Sequence, residues 1–103
     1  MTNNFMDTQD LLEAVKNLPS DRLEIKLNAL VRENLRFKNL DEGNKKIILG
    51  LIKKYLPKIR RGLGLSHLNF RDEMHELYEN RVKLDLTEED LKDIREILEL
   101  FEK

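Results

Sequence analysis

Two histidines, two serines, two tyrosines and a run of lysines and arginines are the residues whose types could do chemistry in this chain. His67 and His75 stand eight positions apart, which on one continuous helix separates them by about 80° and makes a poor pair of metal ligands. Glu79 follows His75 by one turn, the spacing of an exposed side-chain hydrogen bond. A zinc protease needs two histidines four apart with a glutamate beside the first, and that pattern is absent. Ser20 and Ser66 have no glycine-flanked nucleophile elbow around them and stand where helices need caps. There is no cysteine, which removes disulfides, thiolate metal sites and thiol nucleophiles. The 20 acidic residues guarantee close carboxylate pairs by chance, so no pair marks acid–base catalysis. The expectation is a protein that is not an enzyme, with no catalytic residue, no cofactor and no metal.

The cations say more, because they are segregated. Residues 1–43 carry six basic and eight acidic side chains, residues 44–71 eight basic and none acidic, and residues 72–103 five basic and twelve acidic. A formal net charge of -1 therefore conceals strongly polar parts. Lys45, Lys46, Lys53, Lys54, Lys58, Arg60 and Arg61 can form a solvated helix face offset by the C-terminal carboxylates, since exposed pairs contribute only ~0–1 kcal/mol each. They can also form a docking surface for an acidic protein, where charge complementarity sets association rate and register. The functional expectation is the second: Lys53, Lys54, Lys58, Arg60 and Arg61 as the positive side of a protein interface.

The alternative is phosphate-backbone binding of nucleic acid through residues 45–61, without base readout. The outline around Gly62 and Gly64 suggests a helix-turn-helix, but its second helix would bring Asp72, Glu73, Glu76 and Glu79 against phosphates, so base reading is not expected. A basic amphipathic helix can lie on a membrane, yet this one's apolar half is needed in the core. A homodimer joining positive and negative surfaces of two copies is a further option.

The elements that must position these side chains are helical. Leu, Glu and Lys dominate, and no stretch alternates polar and apolar at strand length. A first segment opens at Asp7 or Thr8, carries Leu11, Leu12, Val15 and Leu18 on one stripe, and stops at Pro19. A second, capped by Ser20, runs to about Lys38 with Leu23, Leu27, Leu30, Val31 and Leu35 inward. Asp41 caps a third, whose apolar half includes Ile48, Ile52, Tyr55 and Ile59, with a kink or break at Pro57. Gly62 and Gly64 reverse the chain. Ser66 caps a fourth segment to about Lys83 that turns Phe70, Met74, Leu77, Tyr78 and Val82 inward. After a turn near Asp85, Thr87 and Asp90 form a capping box for the last segment, with Leu91, Ile94, Leu98 and Phe101 inside.

These spacings predict an all-α fold, a compact single-domain bundle of four to five mostly antiparallel helices, with residues 1–6 a flexible N-terminus and 7–103 one helical domain. No apolar run approaches the roughly 18 residues of a membrane span, and the N-terminus has no basic and apolar leader pattern. A cytoplasmic location is expected. The function class expected is a small non-catalytic regulator, adaptor, inhibitor or immunity-type protein.

Overall fold

Asp7 starts the first helix as its spacing predicts: its carboxylate accepts from the Asp10 amide while Asp10 reaches back to the Asp7 amide, each at 3.0 Å. The computed structural model describes residues 7–37 and 39–102. The expected flexible segment 1–6 lies outside the described residues, as do Lys38 and Lys103. Among those described, five helices form: α1 (Thr8–Asn17), α2 (Leu23–Glu33), α3 (Glu42–Arg60), α4 (His67–Glu79) and α5 (Glu88–Glu99). They close into a compact all-α bundle around one apolar core.

Asp41 Oδ1 accepts from the Asn44 amide at 2.8 Å, Ser66 Oγ from Asn69 at 3.1 Å, and Thr87 Oγ1 from Asp90 at 3.0 Å, so each cap satisfies an amide the helix itself leaves free. The end of α3 is equally specific. Leu63 N–H donates to Lys58 O and Gly62 N–H to Ile59 O, a Schellman closure that needs positive φ at Gly62, found at 84°. Leu65 N–H then donates to Phe101 O at 2.7 Å and ties this loop to the chain's last turn.

Four expectations change. Of the kink or break expected at Pro57, the break does not occur, and α3 continues to Arg60. The proline falls in the last turn, where only one amide is lost, and Tyr55 and Ile59 on either side of it are buried and hold the turn to the core. Ser20 does not cap α2: it opens a 3-10 turn, Ser20–Arg22, that runs directly into Leu23. The second segment ends at Glu33, and a 3-10 turn over Leu35–Phe37 swings Phe37 into the core while leaving Leu35 79% exposed. Likewise α4 stops at Glu79, so Val82, expected inside, falls in the following turn at 86% exposure and Tyr78 on the last turn is half-exposed.

Two polar groups are buried by tertiary design. Asp93 on α5 is 1% exposed and takes the guanidinium of Arg36, whose second nitrogen reaches Glu96 at 2.6 Å. This clamp joins the 3-10 turn after α2 to α5 and fixes Phe37, over whose ring the guanidinium also lies at 5.4 Å. Glu73 on α4 is 7% exposed and holds α3, as described next.

Candidate functional site

The outward face of α3 brings the sequence-predicted cations together on one element but gives them different tasks. At 100° per residue, Lys46, Lys53 and Arg61 fall within about 80° of one another, an outward stripe roughly 22 Å long. Ile48, Ile52, Tyr55 and Ile59 hold the opposite side in the core. Lys46, Lys53 and Arg61 are exposed and have no carboxylate partner among the described residues. Nothing acidic lies on α3 beyond Glu42, which pairs with Lys45 at 2.7 Å.

Lys54 is committed inside the molecule. Its Nζ lies 2.6 Å from Glu73 Oε2, and the same oxygen accepts from the Tyr55 hydroxyl at 2.5 Å. Burial alone pushes the Glu73 carboxyl up, but the hydrogen bonds from Lys54 and Tyr55 and the Lys54 charge outweigh it and hold the group below the ordinary glutamate range. Burial first, and then the hydrogen bond to Glu73, push the Tyr55 hydroxyl up to about 12. The bond to Glu73 likewise raises Lys54.

Arg60 has an internal task too. Its guanidinium donates to Val15 O at 3.2 Å and to Leu18 O, carbonyls at the C-terminal end of α1 that the helix leaves without amide partners. A cation there also meets the negative end of the helix dipole. Lys58 stays exposed with its ammonium 5.9 Å from the Tyr55 ring centroid. Of the five predicted interface cations, Lys53, Lys58 and Arg61 therefore face outward without an ion pair among the described residues, whereas Lys54 and Arg60 anchor α3 to α4 and α1. Periodicity could not separate these roles, because both anchors reach partners 18 or more positions away in sequence.

Regional charge counting missed a second positive surface. Arg71 on α4 and Lys92 and Arg95 on α5 line one groove, although two of the three belong to the acidic C-terminal third. The legible signal was the i, i+3 spacing of Lys92 and Arg95, which places both on the same outer face of α5.

The histidines stay apart. His67 Nδ1 lies 2.7 Å from Glu102 and His75 Nε2 lies 3.2 Å from Glu79, and each imidazole is exposed. Among the described residues, no three histidine or carboxylate side chains converge as a metal-ligand set, and no helix is long and apolar enough to cross a membrane. Comparison of the chain with family models, with curated proteins and with solved structures returns no match.

Proposed function

We propose that this protein is a small non-catalytic binding module, of the regulator, adaptor, inhibitor or immunity type, that takes an acidic segment of a protein partner on the outward stripe of α3. The observation that carries this reading is the contrast between neighbours: Lys54 is spent on Glu73, while Lys46, Lys53 and Arg61 remain exposed without a carboxylate partner among the described residues. Their attraction accelerates encounter and fixes register, with Lys58 at the edge of the contact. Lys54 and Arg60 contribute by holding α3 rigid. A cytoplasmic setting fits a chain without cysteine.

The test is fluorescence anisotropy with a labelled poly-glutamate peptide and, separately, a mixed-sequence DNA duplex at low salt. The proposal expects the peptide to bind and the combined variant Lys46→Glu, Lys53→Glu, Arg61→Glu to lose about tenfold or more in affinity with unchanged helicity and melting. Retained affinity in that variant removes the site. Preferential duplex binding, weakening steeply with salt, transfers the stripe to phosphate-backbone recognition instead.

A further inference from the structure

The seam between α4 and α5 is open, with a volume of about 550 Å³. Phe70, Met74 and Leu91 form its floor, and Tyr78, 50% exposed, forms one end with the Arg81 guanidinium 4.1 Å from its ring centroid. On α4 the lining runs from His67 to Tyr78 at spacings of three and four, a channel about 16 Å long at 1.5 Å per residue. That is the length of three helical turns. The rim is cationic: Lys92 and Arg95 are exposed without ion-pair partners among the described residues, and Arg71 has only Asp72 at 4.0 Å. Glu88 is the one carboxylate in the lining.

This positive rim on the acidic third of the chain has a structural cause. Three of the α5 carboxylates are occupied elsewhere, Asp90 in the Thr87 capping box and Asp93 and Glu96 on Arg36, which leaves Glu88 as the α5 carboxylate at the groove. On α4, Glu73 faces Lys54 and Tyr55, and Glu79 pairs with His75. What remains at the seam is an apolar floor with three cations, Arg71, Lys92 and Arg95, against one carboxylate, Glu88. An amphipathic helix laid in such a groove would place its apolar residues at i, i+3, i+4 and i+7 on the floor.

We infer that the α4–α5 groove is a second docking site, independent of the α3 stripe, for an amphipathic helix of a partner protein flanked by acidic residues. Its apolar side chains rest on Phe70, Met74 and Leu91, and its carboxylates meet Arg71, Lys92 and Arg95. The complementarity of charge, together with a floor one helix long, selects this occupant over a basic peptide.

The experiment is titration of the ¹⁵N-labelled full chain with a synthetic helical peptide carrying leucines at i, i+3, i+4 and i+7 and glutamates at its flanks. The control peptide has lysines in place of the glutamates. The expected result is saturable shifts at the Phe70, Met74 and Leu91 amides with the acidic peptide only. Affinity should fall about tenfold or more in the combined variant Arg71→Glu, Lys92→Glu, Arg95→Glu, and stay unchanged in Lys53→Glu, Arg61→Glu. The milder pair Lys92→Gln, Arg95→Gln should weaken binding in the same direction and serves if the triple variant loses its fold. Equal binding of the lysine peptide, no saturable shift at the groove, or groove shifts that depend on protein concentration without peptide would each overturn the proposal. A fatty acid that shifts the floor amides where the acidic peptide does not would do the same.

Discussion

Lys54 on α3 and Glu73 on α4 meet at 2.6 Å, and the carboxylate is buried while the lysine stem stays more than half exposed. This pair gives Lys54 a structural role between α3 and α4. It offsets the Lys54 charge with a carboxylate and orients Tyr55 through a shared oxygen, whereas Lys53, one residue earlier, faces outward without such a partner among the described residues.

Glu73 carries a prediction on the acid side. Its carboxyl is held below its ordinary value of 4.5, so its ionised form is favoured by the fold. The associated stability is fully present above the unfolded-state value and is lost as pH falls through the folded-state value. Denaturant melts should show the wild type losing more stability than Glu73→Gln between neutral pH and pH of about 3. Parallel losses would contradict the assignment.

Tyr55 makes the matching prediction at high pH. With its hydroxyl raised to about 12 from an ordinary 10.0, the neutral form is favoured by the fold, so stability is complete below pH 10 and declines as pH rises through 12. The tyrosinate absorbance titration should contain a step near pH 12 that Tyr55→Phe abolishes. Survival of that step in the variant would place it elsewhere.

Arg36→Ala should be among the most damaging surface-reachable substitutions. It leaves Asp93, 1% exposed, without its guanidinium, and stranding a buried carboxylate costs about 3 kcal/mol or more. For a chain this size that corresponds to a fall in Tm of more than about 10 °C. Adding Asp93→Asn should recover part of the loss, since the stranded charge is then gone. Thermal melts of the two variants check both halves.

Gly50→Ala should stabilise the protein by about 0.5–1 kcal/mol. Gly50 lies within α3, where glycine is the weaker helix former, and a methyl group added there meets nothing within 4 Å. An unchanged or lowered denaturant midpoint would mean that the position is not open.

Much of the fold was legible in the residues. The caps at Asp7, Asp41, Ser66 and Thr87 form where short polar side chains precede apolar periodicity, and Gly62 reverses the chain by the backbone freedom only glycine has at that φ. Helix ends were less legible. Leu35 and Val82 continue an apolar rhythm by sequence, yet each falls just past its helix, because the closing 3-10 turn at Phe37 and the turn around Asp85 rotate the chain away from the stripe. The cationic face was legible as composition, but not which cations are anchors. Lys54, Arg60 and Arg36 find partners through tertiary contacts 19, 45 and 57 positions distant, which no local spacing encodes. The positive groove at α4–α5 was hidden for the same reason, since counting Asp93 and Glu96 as surface charge conceals that Arg36 has taken them.

Acylation footprinting of lysine ammonium groups, read by mass spectrometry with and without poly-glutamate peptide, tests the central claim most directly. Lys46 and Lys53 should label rapidly and become protected by the peptide, while Lys54, held on Glu73, should label several-fold more slowly and be indifferent to it. Lys53 labelling as slowly as Lys54, or unaltered by saturating peptide, would show that the outward stripe of α3 is not where an acidic partner binds.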